Sequence, residues 1–262
     1  MKRLLPGIQC VLMILLLAPG AGNAGGTPKD VMVLPVEDVV RLAKKVEHTA
    51  AENGARVFLV ARVGRPPEEL PQGVEYTHVS FGVYSSITTA DNRVVPGYSV
   101  YNLYQRSEAP AKSDLVVDYP VDFLAPAHVL KAGVLIPTPE LQQRLLDVIS
   151  SGDWKLMHNP EYSALANPYN GRYQNCTEFV LDVINAAIYR TTDAAQLKAN
   201  TRAHFKAQTI RINPFKLFFA SLFKPDIRLG DQSGPIQTVT FRSIADYLGA
   251  NGLLDKSMTV TL

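Results

Sequence analysis

The sequence has few residues that could bind a metal. It contains only two cysteines, Cys10 and Cys176, and five histidines scattered along 262 residues. The spacings typical of zinc sites, CxxC, HxxxH and HExxH, do not occur, so we predict no metal site and no cofactor. The GxSxG motif of serine hydrolases is also missing. Any catalytic chemistry must therefore depend on a small set of side chains.

The sequence also lacks an excess of charge of either sign. It has 26 basic and 24 acidic residues, and Lys2 and Arg3 belong to an N-terminal leader that contains no acid. Without that leader the two signs balance. Because nucleic-acid binding depends on a large positive surplus, we predict no nucleic-acid partner.

The N-terminus has no apolar run long enough to cross a bilayer comfortably. Residues 1–24 start with two basic residues, continue with a short apolar run and end in small residues at Ala24. This is the pattern of a secretory signal peptide, and an uncleaved anchor is the weaker alternative because a spanning helix needs about 20 apolar residues. We therefore predict an exported protein, periplasmic or extracellular. Cleavage after Ala24 would remove Cys10 and leave Cys176 without a disulfide partner in its own chain.

The remaining sequence predicts an α+β fold. Apolar periodicity predicts, in chain order, a helix over 36–51, strands over 55–63, 75–86, 95–106 and 132–136, and a helix over 139–150. The links between the first three strands are short and rich in turn residues, which favours an antiparallel meander with one buried face.

Cys176 lies at the start of a further predicted helix. Asn175 is a good N-cap and supports this start, because Glu178 follows three residues later. In the first turn, the helix dipole and the free amides stabilise a thiolate and can hold an oxyanion. A buried cysteine that serves packing alone is the alternative. We favour a nucleophile, because the apolar stripe begins one turn later, at Phe179, and leaves Cys176 at the exposed end.

A nucleophilic cysteine needs a base, and the histidines are the candidates. We predict that His48 and His204 are solvated surface residues. His128 lies in a short Pro-flanked helix, and His158 lies in a loop. His78 is the preferred base because it begins an apolar strand, a rigid position from which an imidazole can reach a helix N-terminus. The alternative for His78 is a hydrogen-bonded histidine of the sheet.

The base in turn needs a group that orients its ring. Asn102 is the one compact polar side chain in the middle of the next strand, and it could accept a hydrogen bond from the imidazole. Gln105, Tyr101 and Tyr104 remain alternatives, because the sequence does not fix the strand register. The sequence thus favours a Cys-His-Asn set.

Two segments carry a resemblance to known enzymes. The segments YTHVSFGVY (76–84) and NCTEFV (175–180) resemble the histidine strand and the cysteine box of circularly permuted papain-like enzymes of the NlpC superfamily. That permuted branch includes lecithin:retinol acyltransferase-like proteins. More narrowly, residues 35–190 resemble an exported bacterial family known as domain of unknown function 2145. The resemblance implies a permuted papain-like core, in which an antiparallel sheet packs against the helix that bears the cysteine.

The resemblance also implies roles for individual residues. Cys176 would supply the thiolate, His78 the base and Asn102 the orienting group, although many relatives have histidine at this last position. Relatives often have a tyrosine upstream of the cysteine, near the oxyanion. Both Tyr162 and Tyr169 match that description.

The function predicted from these residues is that of an exported cysteine-dependent hydrolase or acyltransferase, which forms an acyl-thioester from an amide or ester. A cell-wall peptide is one substrate class for an exported bacterial enzyme. Lipid is the other, because 202–230 mixes basic and aromatic residues and its part at 211–224 is suited to peripheral membrane contact. The same segment could instead be a helical hairpin packed on the core. The alternative function is a non-catalytic peptide- or lipid-binding module on the same frame.

These predictions divide the chain into three parts. Residues 1–24 are the signal peptide, and 25–192 form the papain-like catalytic domain. Residues 193–262 form a mostly helical C-terminal extension, either packed on the core or touching the membrane.

Overall fold

The computed structural model describes residues 32–211 and 226–262 of the chain. In these ranges the helices are α1 (Val36–Glu52), α2 (Pro120–Leu124), α3 (Pro139–Ser151), α4 (Cys176–Tyr189), α5 (Ala194–His204) and α6 (Phe241–Ala250). The strands are β1 (Val57–Arg62), β2 (His78–Thr88), β3 (Val94–Gln105), β4 (Ser113–Asp118), β5 (Lys131–Pro137), β6 (Gln208–Thr209), β7 (Gln237–Thr238) and β8 (Leu254–Thr261). The predicted signal peptide, and the predicted membrane contact at 211–224 apart from Arg211, lie outside the described residues.

One six-stranded antiparallel sheet organises the α+β fold. Its strand order is β4-β3-β2-β1-β5-β8. The predicted meander of three consecutive strands is confirmed as β1, β2 and β3. The meander continues into β4, and β5 returns to pair with the other side of β1. The strands β4 and β8, which the sequence did not predict, are the two edges of this sheet.

Both faces of the sheet are covered, and β1 is buried along its whole length. Alternate side chains of β1 point to opposite faces, so its apolar residues alternate between two apolar clusters. The α4-side core contains, among others, Val57, Leu59, Val79, Phe81, Leu103, Cys176, Phe179 and Val183. The α1-side core contains, among others, Val39, Leu42, Phe58, Val60, Tyr98 and Phe123. The sheet thus separates two cores that meet the same strands from opposite sides.

Helix α4 begins at Cys176, as the capping signal predicts. The Asn175 side chain accepts a 2.9 Å hydrogen bond from the amide of Glu178 and so caps the first turn. The side chain of Glu178 does not complete a reciprocal capping box. It accepts a 2.7 Å bond from Lys198 of α5 instead. This contact joins the first turn of α4 to the helix that follows it.

The C-terminal part of the chain, where it is described, forms strands as well as helices. It contains α5 and α6, but β6 and β7 form a small antiparallel pair and β8 adds an edge strand beside β5. Phe241 and Ile244 of α6 belong to the α4-side core. The C-terminal residues therefore complete the same sheet and core, while the boundary predicted at residue 192 stays a prediction. Among the described helices, none combines the length and the hydropathy needed to cross a membrane.

Candidate active site

The sulfur of Cys176 lies against the first residues of β2. Its thiol donates to the carbonyl oxygen of Thr77 at 3.9 Å, and the backbone of Val79 lowers the pKa of the same thiol. These two backbone groups belong to the residues on either side of His78. The predicted meeting of a helix N-terminus with the start of a histidine-bearing strand is therefore present in the structure.

Cys176 is more buried than the sequence analysis expected. Its side chain belongs to the α4-side core, and the residue is only 5 % exposed. Burial raises the pKa of the thiol above its usual value, although the Val79 amide, Arg62 and the Thr177 amide lower it. A helix N-terminus contributes roughly 0.3–1 kcal/mol, whereas full burial can shift a pKa by several units. The expectation of an exposed, thiolate-stabilising position is thus wrong, and the resting sulfur carries its proton.

His78 is the first residue of β2, as predicted, and lies opposite Arg62 of β1. Its ring stacks on Tyr104, with centroids 5.0 Å apart, and lies 5.6 Å from the ring of Phe123. Phe123 belongs to the α1-side core, whereas Val79, the next residue of β2, belongs to the α4-side core with Cys176. Because neighbouring side chains of a strand point to opposite faces, the imidazole lies across the strand from the thiol.

The electrostatic surroundings keep the imidazole neutral. Burial and the nearby Arg62 lower the pKa of His78 well below its usual value, and the interaction with Asn102 raises it by less. Its Nε2 is buried and has no hydrogen-bond partner in the described residues. The structure therefore brings the backbone of His78 to the sulfur and leaves its ring nitrogen without a partner.

Asn102 is fully buried in β3 and belongs to the polar cluster beside His78. Its Oδ1 accepts from the hydroxyl of Ser80, and its Nδ2 donates to Oδ1 of Asp118 at 2.6 Å. The register pairs Phe81 with Tyr101, so Asn102 lies opposite Ser80 and next to the strand position of the imidazole. Asn102 therefore raises the pKa of His78, but its hydrogen bonds to Ser80 and Asp118 are part of a separate buried polar network.

The other candidates for the orienting group have different surroundings. Gln105 donates to the carbonyl of Pro110 at 2.8 Å, and Tyr101 packs edge-on against Trp154. Tyr104 is the one of the three whose ring contacts His78. Its contact is a stacking interaction, and its hydroxyl donates to Oδ2 of Asp118 at 2.9 Å.

Arg62 is a member of this cluster that sequence reasoning missed. It is 2 % exposed, donates through Nη1 to the carbonyl of Phe123 at 2.5 Å, and lies 5.6 Å from the ring centroid of Tyr104. Its Nε has no hydrogen-bond partner in the described part of the chain. The signal for it was a basic residue at the end of the apolar stretch VFLVAR, which is buried throughout.

Of the two tyrosines implied by the resemblance, Tyr162 lies near the sulfur. Burial raises the pKa of the Tyr162 phenol, and a thiolate at Cys176 would raise it further. Tyr162 also forms a bridge with Gln174, just before α4. The hydroxyl of Tyr169 instead donates to the carbonyl of Phe205 at 3.2 Å and accepts from the Ala207 amide at 2.9 Å. Tyr162 is therefore the supporting tyrosine that the geometry favours.

The remaining histidines lie apart from this cluster. His48 and His204 are exposed, which confirms the prediction for both. The Nε2 of His158 is 3.0 Å from the hydroxyl of Ser113. His128 is half-buried, and its amide donates to the carbonyl of Val63 at 2.7 Å.

The comparisons with known proteins give one result. No curated protein and no solved structure matches the chain. The family described as "Uncharacterized protein conserved in bacteria (DUF2145)" matches residues 49–248, a span that includes both His78 and Cys176. Since that match covers most of the chain, the protein belongs to this bacterial family.

Proposed function

We propose that the protein is an exported cysteine-dependent hydrolase or acyltransferase with a permuted papain-like core. The observation that carries this proposal is the contact of the Cys176 sulfur with the backbone on both sides of His78. A thiol at a helix N-terminus, directly beside a histidine that begins a strand, supports nucleophilic chemistry. The order of the histidine strand, the neighbouring polar strand and the later cysteine helix supports the permuted core.

The proposed resting state is a neutral thiol and a neutral imidazole on opposite faces of β2. Burial raises the pKa of Cys176 and lowers that of His78, so both environments disfavour the charged pair. The reaction therefore requires the start of β2 to move when substrate binds, because the His78 ring must leave Tyr104 and cross to the face of the sheet that holds the sulfur. The buried, unpartnered Nε2 favours this movement, because an unsatisfied polar group costs roughly 1–3 kcal/mol.

The proposed reaction proceeds through a thioester. His78 accepts the thiol proton while the sulfur attacks the carbonyl carbon of an amide or ester, and the bond to the leaving group breaks as His78 returns the proton to that group. Water or another acceptor then releases the acyl group and restores the thiol. The backbone amides of the first turn of α4 and the phenol of Tyr162 would stabilise the oxyanion; in support, the Thr177 and Cys176 backbones lower the pKa of the thiol and the phenol interacts electrostatically with it.

We assign the substrate to one of two classes, a cell-wall peptide or a lipid. Both are acyl compounds that an exported bacterial protein meets. The 5 % exposure of Cys176 requires the surrounding residues to open before a carbonyl can reach the sulfur.

A second candidate function is a binding module without catalysis. The observation in its favour is the buried, protonated thiol, which resembles a packing cysteine more than an activated one. In this function the same fold binds a peptide or a lipid, and Cys176 serves only to fill space in the core.

Acyl trapping distinguishes the two functions. The purified protein is incubated with cell-wall and lipid extracts in separate arms, and intact-mass and peptide mass spectrometry then search for an adduct on Cys176. The enzyme predicts an adduct in one arm, its loss in Cys176→Ala and its strong reduction in His78→Gln. The exposed His204→Gln is the matched control and keeps the adduct. Extracts that bind equally to wild type and Cys176→Ala, with no adduct in either arm, support the module.

A further inference from the structure

A second group of charged side chains lies at a cavity that the proposed chemistry does not use. The cavity has a volume of about 690 Å³ and is bounded by α4, α5 and the segments 156–160 and 170–174. Cys176 and His78 are not among its described lining residues. Leu156, Met157 and Leu197 supply apolar wall, and the volume suits a small organic ligand.

Glu178, Asp182 and Lys198 form the charged part of the wall. The ammonium of Lys198 donates to Oε1 of Glu178 at 2.7 Å and to both carboxylate oxygens of Asp182 at 2.9 Å. Gln174 donates to Oδ2 of Asp182 at 2.9 Å. Asp182 therefore has partners on both oxygens.

Glu178 has one oxygen that the protein does not use. The residue is 0 % exposed, and its Oε2 is buried without a hydrogen-bond partner in the described ranges. Folding leaves few such groups unpaired, because each costs roughly 1–3 kcal/mol. Glu178 is a lining residue of the cavity, so a ligand there could supply the missing partner once the side chain turns its Oε2 into the cavity.

The charges of Glu178, Asp182 and Lys198 favour a cation over an anion as the bound partner. Burial raises the pKa of Glu178 to about 8, with Asp182 and Asp231 adding to the increase and Lys198 opposing it. At neutral pH the carboxyl therefore holds a proton, and the charges of Lys198 and Asp182 cancel. A cation that replaces this proton leaves the buried group neutral, whereas an anion would add an uncompensated charge.

The rim carries three further titratable residues, Arg202, His158 and Tyr173. Arg202 lines the cavity, and its Nη1 is held by the carbonyl of Tyr169 at 2.7 Å. Burial lowers the pKa of His158, which keeps this lining residue neutral above pH 7. Arg202 is exposed, so water and salt screen its repulsion of an entering cation.

We propose that this cavity binds an organic cation, an ammonium group on an apolar body, which bonds to Oε2 of Glu178 in exchange for its proton. The apolar wall holds the body of the ligand. The site is separate from Cys176 and does not depend on the proposed acyl chemistry.

Isothermal titration of the full chain with octylammonium chloride tests this proposal. We expect binding that strengthens from pH 6 to pH 9, where the ammonium stays charged. At pH 7 the heat differs between buffers of different ionisation enthalpy, because close to one proton is released per ligand. This measurement needs no variant. Binding to octylammonium without proton release would overturn the exchange, and no heat at millimolar ligand would overturn the site.

Matched ligands and variants complete the test. Glu178→Gln reproduces the protonated carboxyl and should weaken octylammonium binding by roughly tenfold or more, because a hydrogen bond to a charged group is lost. Cys176→Ala and the exposed Glu140→Gln should bind as wild type does. The neutral 1-octanol and the anionic octanoate should bind more weakly. Equal affinity for octanol and octylammonium, or an unchanged affinity in a folded Glu178→Gln protein, would contradict the proposal.

Discussion

The hydroxyl of Tyr104 donates a 2.9 Å hydrogen bond to Oδ2 of Asp118, and this pair lies behind the imidazole of His78. Asn102 donates to the other carboxylate oxygen. The buried carboxyl therefore fixes both the ring on which His78 stacks and the amide that acts on it. The position of the histidine ring is thus a property of the strand pair β3 and β4 as well as of β2.

Asp118→Asn should remove a pH dependence of stability. Burial and Asp122 raise the pKa of Asp118 to about 7, although Tyr104, Arg62 and Asn102 lower it. Below pH 3.8 this carboxyl is protonated in both the folded and the unfolded protein. As the pH rises toward 7, the unfolded protein loses the proton first, so the free energy of unfolding falls. Asp118 should thus cost the wild type roughly 4 kcal/mol over that range.

Urea unfolding at several pH values between 4 and 7 measures this loss. The free energy of unfolding of Asp118→Asn should lack the decrease attributed to this carboxyl. The exposed Asp147→Asn is the matched control and should follow wild type. Parallel curves for Asp118→Asn and wild type would show that Asp118 ionises normally in the folded protein.

Alkylation of Cys176 should be slow at neutral pH in the absence of substrate. Burial raises the thiol pKa, and each unit of increase lowers the thiolate fraction tenfold at a pH below it. We expect iodoacetamide to react at least ten times more slowly than with free cysteine at pH 7, and the rate to keep rising above pH 9. Mass spectrometry of the time course gives the rate, and full labelling within minutes at pH 6 would contradict the buried, protonated state.

The N-cap of α4 should contribute more stability than that of α5. Asn175 accepts from the amide of Glu178 and also donates to Ala164 and Thr238, each at 3.1 Å. Asn175→Ala should cost about 2–4 kcal/mol, because it removes the cap and leaves buried partners unsatisfied. Asp193→Ala removes the exposed cap of α5 and should cost about 1 kcal/mol. Urea unfolding compares the two, and equal losses would show that the additional contacts of Asn175 contribute nothing.

Two glycines should respond to alanine with opposite signs. A Cβ on Gly82 would lie 2.4 Å from the ring of Phe58, its partner across β1 and β2. Gly82→Ala should therefore destabilise by about 1–3 kcal/mol through overpacking. Gly249 lies in α6 with no atom within 4 Å of an added Cβ, so Gly249→Ala should stabilise by about 0.5–1 kcal/mol. Thermal unfolding measures both, and stabilisation by Gly82→Ala would mean that the Phe58 ring relaxes without cost.

The sequence predicted the elements whose signals are local. Strong apolar periodicity marked α1, α3 and the central strands, and the Asn175 cap marked the start of α4. Two of the strands that were missed, β4 and β8, are the edges of the large sheet. Edge strands bury fewer side chains, and in β8 only Val260 is buried, so no apolar alternation identifies it.

The site was predicted less completely, because its details depend on tertiary packing. The local sequence placed Cys176 in the first turn and His78 at a strand start, and both positions are confirmed. It could not show that Cys176 is covered by the α4-side core, or that the His78 ring faces Tyr104. Both follow from how α4 packs on the sheet and from the register of β2 and β3, which the sequence does not fix.

Arg62 should control the basicity of His78. The guanidinium lowers the pKa of the imidazole, and it is the second cause after burial. Arg62→Met removes the charge and the unpaired Nε while keeping apolar volume against Phe123, so we expect the fold to survive. The pKa of His78 should rise in this variant but stay below its usual value, since burial remains. Titration of the His78 ring signals by nuclear magnetic resonance measures the change, with the exposed Arg56→Met as the control. A pKa that stays constant or falls would show that Arg62 does not act on the imidazole. Burial alone would then have to keep the resting base neutral.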